Sequence, residues 1–165
     1  MGKKINVVAV GTFDVIHLGH INYLKQAKAL GDKLIVVVSS DAQCKKRGKE
    51  PYFSERERKQ MVEELNVVDE VIVGHQEDIF KVINELKPSI ICIGHDSHIS
   101  EEVINENLEN GNKPKIVRAK ALHTDKYNTT KIKIPRATVN PERKVLSLFF
   151  LIVSNISSQR SLLNI

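Results

Sequence analysis

Short runs of apolar residues recur along the first 120 positions of the chain, and amphipathic patterns separate them. Residues 5–10 form a nearly continuous β-branched run, which is typical of a strand covered on both faces. Similar runs follow at residues 34–38, 71–73, 90–93 and 115–117. The pattern therefore predicts five strands, and the first of them is expected to be central in a sheet.

The segments between these runs have the spacing of helices. Apolar side chains recur every three to four positions over residues 18–30, and Gly31 follows as the expected C-terminal cap. Ser54 and Glu57 have the spacing of a capping box, which predicts a helix that runs to about residue 65.

Two further helices complete the pattern. One covers residues 79–86 and ends before Pro88, and the other begins after Ser100. Strands that alternate with helices in this way indicate right-handed βαβ units. The expected fold class is α/β, a Rossmann-like doubly wound parallel sheet of five strands, whose ligands bind beyond the carboxyl ends of the strands.

Length and charge limit the organisation and the partners. The 165 residues suit one domain, expected over residues 1–138, followed by a segment at 139–165 with no assigned role. The net charge of +5 is uneven, since residues 1–112 carry −4 whereas residues 113–136 carry +7. A single local basic cluster suits a small polyanionic ligand at least as well as nucleic acid.

Several other classes of protein are disfavoured. Cys44 and Cys92 have neither a disulfide framework nor zinc-site spacing, which favours reduced thiols in a cytoplasmic protein. The longest apolar stretch, residues 145–153, is far shorter than the roughly 20 residues of a membrane span. Its apolar side chains would cover either a homodimer surface or the domain itself.

The chemistry is concentrated in residues 11–20, GTFDVIHLGH, where the first strand runs into the first helix. His17 and His20 are three positions apart at a helix start, so both rings can face the same side. The helix dipole favours an anion there, and Gly19 leaves room for a phosphate to approach the backbone. Imidazoles at this place can donate hydrogen bonds to a phosphoryl oxygen as it gains charge.

This segment resembles the nucleotidyltransferases with the HxGH signature, in particular their cytidylyltransferase-like branch, whose motif reads GTFDxxHxGH. Residues 30–38, 68–72 and 128–132 and the Glu57–Arg58 pair resemble further blocks of that family. The resemblance implies that His17 and His20 are catalytic and hold the phosphates during transfer. The residues predicted to bind the nucleotide are Gly11, Thr12, Phe13, Asp14, Gly19, Asp96, Arg118, Thr129 and Thr130.

The roles differ within that set. Thr12 and Phe13 would line the nucleotide pocket, whereas Asp14 would orient the loop. Thr129 and Thr130 would contact the outer phosphates at the start of a last helix, which Pro135 would interrupt.

Other polar residues follow the ends of the predicted strands. Arg118 lies in the basic segment and could clamp the outer phosphates. Asp96 follows the fourth strand and is expected to contact the nucleobase or the acceptor. Lys45 and Lys46 follow the second strand and either reach the phosphate of the acceptor or are solvated loop charges. Arg58 is expected to contact a phosphate of the acceptor, as in the family's Glu-Arg pair, or to pair with a glutamate on its own helix.

The reaction class follows from the chemistry of phosphates. A phosphate monoester has a second pKa of about 6, so it attacks at neutral pH without a general base. We expect in-line attack on the α-phosphate of a nucleoside triphosphate and release of pyrophosphate. Mg²⁺ would arrive with the triphosphate, because no cluster of carboxylates near the motif predicts a metal site in the protein.

The substrates are the most open part of the prediction. Residues 87–94 and the basic loop before Pro51 resemble the archaeal FAD synthases, a resemblance that implies transfer of AMP from ATP to FMN. One alternative is a cytidylyltransferase that uses CTP and a phosphorylated alcohol such as glycerol 3-phosphate. Another is a nucleotide-binding regulator without catalysis. No nucleic acid or membrane partner is expected.

Overall fold

The computed structural model describes residues 4–109, 111, 113–124 and 127. Thr129, Thr130, Pro135 and the segment 139–165 lie outside these residues, so the predictions made for them stay predictions. Within the described residues the elements follow in the order β1 (Asn6–Gly11), α1 (Leu18–Lys28), β2 (Lys33–Val38), α2 (Asp41–Lys46), α3 (Glu55–Glu63), β3 (Glu70–Val73), α4 (Ile79–Leu86), β4 (Ile90–Ile93), α5 (Glu101–Asn107) and β5 (Lys115–Arg118).

The described strands form one parallel sheet in the order β3-β2-β1-β4-β5, with β1 at the centre. This arrangement confirms the predicted Rossmann-like α/β class. The chain moves outward from β1 through β2 to β3 and then crosses back to β4 on the other side. The direction of winding therefore reverses between β1 and β4, which is where such sheets bind ligands.

Helices cover both faces of the sheet. Leu24 of α1 and Val62 of α3 are fully buried in the cluster on one face. Val82 and Ile83 of α4, with Ile104 of α5, belong to the clusters on the other face. Burial on both faces explains why the strand sequences are almost continuously apolar. None of the described helices has the length and apolarity needed to cross a bilayer.

The capping box at Ser54 is confirmed, since its hydroxyl accepts from the Glu57 amide and the Glu57 carboxylate accepts from the Ser54 amide. The prediction for Gly31 is wrong. Helix α1 ends at Lys28, its C-cap Ala29 is in a right-handed conformation, and Gly31 is instead required by close packing. A Cβ atom on Gly31 would lie 2.6 Å from the carbonyl oxygen of Ile5.

Candidate active site

The candidate site lies where β1 and β4 separate at their carboxyl ends. Pairing of β1 with β2 continues to Gly11 and Val38, whereas pairing of β1 with β4 stops at Ala9 and Cys92. The backbone beyond Ala9 therefore leaves β4 and runs into the loop that carries the histidines. A crevice of this kind leaves the end of β1 open to a ligand on the β4 side.

Helix α1 places the two histidines side by side. His17 is the N-cap residue, and its Nδ1 accepts a hydrogen bond of 3.1 Å from the Gly19 amide. The rings of His17 and His20 stack with centroids 3.9 Å apart and an interplanar angle of 18°. Gly19 is needed for this arrangement, because a Cβ atom there would lie 2.9 Å from the His17 ring.

Both imidazoles are held in the neutral form. Burial and, to a smaller extent, the neighbouring His17 lower the pKa of His20 to about 4, although the Asp96 carboxylate opposes the shift. Burial also lowers the pKa of His17. In neutral His17 the proton resides on Nε2, since Nδ1 is the acceptor for Gly19. His17 therefore presents a neutral Nε2–H donor at neutral pH, beside a neutral His20 ring.

Phe13 packs against the histidine pair. Its side chain is 1% exposed, its φ is +52°, and its ring lies 5.3 Å from that of His20. The ring is part of the core, and the predicted contact of Phe13 with a nucleotide stays a prediction. Gly11 makes room for it, since a Cβ atom on Gly11 would lie 2.7 Å from the Phe13 ring.

Tyr23 extends this column of rings and was not identified from the sequence. Its ring stacks on Phe13 at 6.3 Å. Its hydroxyl accepts from the Val10 amide at 3.1 Å and donates to the Cys92 carbonyl at 2.7 Å. The hydroxyl thus bridges β1 and β4 where direct pairing ends, and burial raises the pKa of the phenol well above its ordinary value. A polar aromatic residue on the inward face of a helix was the available signal, because buried tyrosines usually bond their hydroxyl.

Replacing Tyr23 with Phe should destabilise the fold by about 1–3 kcal/mol, since two buried backbone groups would lose their shared partner. The free energy of unfolding, measured in urea, checks this. Tyr52→Phe is the matched control, because the Tyr52 residue is 56% exposed and the change should alter stability by less than about 0.5 kcal/mol. Equal stability of the two variants would contradict the bridging role.

The loop of the motif is braced from two sides. Asp14 is 3% exposed, and its Oδ1 accepts hydrogen bonds from the amides of Tyr52 at 2.6 Å and Phe53 at 3.0 Å. These contacts tie the loop after β1 to the start of α3. They match the loop-orienting role expected for Asp14.

Arg58 provides the second brace. Its side chain is completely buried and donates to the carbonyls of Thr12 at 2.6 Å, Ser39 at 2.9 Å and Phe53 at 3.1 Å. It also forms an ion pair of 2.6 Å with Asp41. The predicted contact of Arg58 with an acceptor phosphate is therefore wrong, because its guanidinium is enclosed by protein groups.

The loop after β4 brings a carboxylate to the histidines. Asp96 has an 80% exposed side chain and acts electrostatically on both His17 and His20. Arg118 at the end of β5 donates to the carbonyls of Gly94, Ser97 and Ile99 and so holds this loop. The structure thus gives Arg118 a loop-holding role, and its contact with a phosphate stays a prediction.

The segment after β5 approaches α1. The Gln26 side chain bonds both the amide and the carbonyl of Lys120, at 2.9 and 3.0 Å. Tyr127 stacks on His17 with centroids 6.2 Å apart. Tyr127 is a second site residue that sequence reasoning missed, although it lies two positions before the predicted Thr129.

The two lysines expected to meet the acceptor are on a helix rather than in a loop. Lys45 and Lys46 form the last turn of α2, which follows β2 at its carboxyl end, and both are exposed. The Lys46 ammonium lies 3.5 Å from the Glu77 carbonyl. Both lysines are at the predicted edge of the sheet, and their contact with an acceptor stays a prediction.

The carboxylates near the motif do not form a metal-binding cluster. Across the described part of the chain, no group of three or more His, Cys, Asp or Glu side chains is placed to hold a metal ion. The Oδ1 atom of Asp14 serves two amides, while Asp96 is an exposed carboxylate beside the histidines. These residues suit a metal ion that is already coordinated by phosphates, to which Asp96 could add one ligand.

The parallel sheet with its reversal at β1 and β4, and the histidine pair at the first helix, match the arrangement expected of the nucleotidyltransferases with the HxGH signature. A family model described as cytidylyltransferase-like matches residues 8–134. The chain belongs to the cytidylyltransferase-like family.

The chain is also similar to curated FAD synthases. The FAD synthase of Ferroglobus placidus is 47% identical over 116 residues, which cover 70% of this chain and 76% of that protein. The FAD synthase of Archaeoglobus profundus is 45% identical over 130 residues, which cover 78% and 83% of the two chains. A crystal structure described as the lipopolysaccharide core biosynthesis protein from Thermoplasma volcanium is 44% identical, with a TM-score of 0.68 over 73% of this chain and 99% of that chain.

Proposed function

We propose that this chain transfers AMP from ATP to FMN, which yields FAD and pyrophosphate. The neutral pair of His17 and His20 at the start of α1 carries the proposal, because it supplies donors for a phosphoryl group at the crevice of the sheet. The choice of FMN and ATP is supported by the similarity to archaeal FAD synthases at 45–47% identity.

The proposed reaction is a single displacement. A phosphate oxygen of FMN attacks the α-phosphorus of ATP, and the bond from that phosphorus to the bridging oxygen of the β-phosphate breaks. Pyrophosphate leaves in line with the attacking oxygen. The attacking phosphate is already ionised at neutral pH, so no protein group has to remove a proton.

The protein contributes by positioning and by electrostatic stabilisation. His17 would donate from Nε2 to a phosphate oxygen, and the stacked His20 would contact the same phosphoryl group. The N-terminal end of α1 adds favourable dipole potential for an anion. Phe13 packs against the His20 ring, and Tyr23 packs against Phe13. The histidine rings are therefore held in place, so little reorganisation is needed as charge develops on the phosphate.

The two substrates would approach from opposite sides of β1. Asp96 lies after β4 and Tyr127 lies after β5, which favours the nucleotide on that side of the crevice. Lys45 and Lys46 lie after β2, which favours the phosphate of the acceptor on the other side. Mg²⁺ would arrive with ATP, where it neutralises the charge of the triphosphate, and Asp96 is the side chain beside the histidines that could touch it.

Three further expectations belong to this proposal. The protein is expected to be a cytoplasmic homodimer. Residues 139–165 are expected to lie beyond the catalytic domain of residues 1–138, with their role open.

The direct test is product formation by the purified chain. Incubation with ATP, Mg²⁺ and FMN should yield FAD and pyrophosphate in equal amounts, detected by chromatography and by a coupled pyrophosphate assay. Parallel reactions contain CTP with glycerol 3-phosphate or phosphoethanolamine. Turnover of CTP without use of FMN would overturn the proposal in favour of a cytidylyltransferase. Binding of nucleotide with no turnover of any acceptor would favour a regulator.

A further inference from the structure

We propose that an open cleft at the carboxyl end of β3 receives the flavin ring of the acceptor, with His75 and Glu55 as the residues that select it. This inference rests on the proposed function. The cleft has a volume of about 540 Å³ and lies on the same edge of the sheet as the histidine pair. Its lining consists of Glu55, Val73, Gly74, His75, Gln76 and Glu77.

The distance from the histidine loop suits the length of the acceptor. Gly11 at the end of β1 is in register with Val38 of β2, and Val38 is in register with Val73 of β3. Two interstrand spacings of about 4.8 Å separate the end of β1 from the cleft, which is roughly 10 Å. An extended ribityl chain joins the phosphate of FMN to its ring over a similar span. A phosphate bound at the end of β1 would thus place the ring at β3.

The loop that forms the cleft is held rigidly from α2. Ser40 is fully buried and Gln43 is 8% exposed. The Ser40 hydroxyl donates to the His75 carbonyl at 3.4 Å. The side-chain amide of Gln43 donates to the Gln76 carbonyl at 3.0 Å. These two contacts fix the backbone of the loop that lines the cleft, so the cleft is formed before a ligand binds.

The hydrogen-bonding groups of the cleft match one edge of the flavin. The Nδ1 atom of His75 accepts from the amides of Glu77 at 3.2 Å and Asp78 at 3.3 Å, so the neutral ring carries its proton on Nε2. His75 can therefore donate to a carbonyl oxygen. The Glu55 carboxylate is anchored through Oε2 to the Asp41 amide at 2.7 Å, which leaves Oε1 to accept from an N–H group. The imide edge of the isoalloxazine presents an N–H between two carbonyls, which is complementary to this pair.

Two conservative variants test the assignment. His75→Asn keeps an acceptor for the loop amides but removes the ring and its Nε2 donor. Glu55→Gln keeps an oxygen for the Asp41 amide but removes the charge. Each variant should raise the KM for FMN and the Kd for riboflavin about tenfold, which is the size expected for one hydrogen bond, and leave the KM for ATP unchanged. Riboflavin carries the ring without the phosphate, and quenching of its fluorescence measures binding without turnover.

The matched control is Glu85→Gln, on the exposed side of α4. It should leave every constant unchanged, and thermal melting should show all three variants folded. Unaltered riboflavin affinity and FMN KM in both cleft variants, in an enzyme that makes FAD, would overturn the cleft assignment alone. A wild-type chain that neither binds riboflavin nor uses FMN would overturn the proposed function and this inference with it.

Discussion

Replacing His20 with Ala should lower kcat by a factor of about 10² to 10³ and leave the fold intact. The variant removes a neutral imidazole that is stacked on His17 and supported by Phe13. The loss falls on kcat because the donor is worth most when the transferred phosphate gains charge in the transition state. Steady-state kinetics of FAD formation measure it, and circular dichroism confirms folding.

His17 needs a different substitution, because it also caps α1 through Nδ1. His17→Asn keeps a good N-cap residue and removes the imidazole donor, so it should lower kcat by a similar factor with a small change in stability. Leu18→Ala is the control, since Leu18 lies between the histidines and is 56% exposed. Near-normal turnover of either histidine variant would reject the assignment of the site.

Replacing Arg58 with Met should lower the free energy of unfolding by about 3–5 kcal/mol, since three carbonyls lose their donor and the half-exposed Asp41 carboxylate loses its partner. For a chain of this size such a loss corresponds to a fall in Tm of roughly 10 °C or more. The physical reason is the complete burial of a guanidinium that connects the Thr12 and Ser39 carbonyls to Asp41. Thermal unfolding followed by circular dichroism measures the effect.

Arg56→Met is the matched control on the same helix, because Arg56 is exposed in the first turn of α3. Its Tm should change by only a degree or two. Arg58→Lys should also be strongly destabilising, since one ammonium cannot replace the planar fork that reaches four acceptors. A stable, fully folded Arg58→Met protein with a raised KM for FMN would restore the phosphate-contact role.

Much of the fold is predictable because the strands are buried on both faces. The apolar run at residues 90–93 predicts β4 correctly. Pro88 predicts the end of α4. Helix α2 escaped prediction because it has only six residues, and its lysines suggest a solvated loop. Its existence depends on tertiary contacts, since the Ser40 cap and Gln43 are buried against the loop after β3. A short helix of this kind has too few turns to be stable on its own.

The residues of the site also fall into a predictable group and an unpredictable group. His17, His20 and Gly19 are local to one helix start, so their spacing alone predicts their geometry. The roles of Arg58 and Tyr23 depend on groups far away in the chain, such as the Thr12 and Cys92 carbonyls. A pattern of residue types contains no information about these distant partners. Arg58, which the sequence predicts to contact a phosphate, therefore braces the loop of the motif instead.

The pairing of β1 with β4 also affects the order in which parts of the enzyme fold. Val7 pairs with Ile90, so the chain must close a loop of more than 80 residues before the crevice exists. Closure of so long a loop is entropically slower than the pairing of β1 with β2, where Asn6 and Lys33 are only 27 positions apart. Residues from both sides of that closure, Tyr23 and Cys92, must meet before the histidines are supported. Catalytic competence should accordingly appear only in the last kinetic phase of refolding, after most of the helical signal has returned.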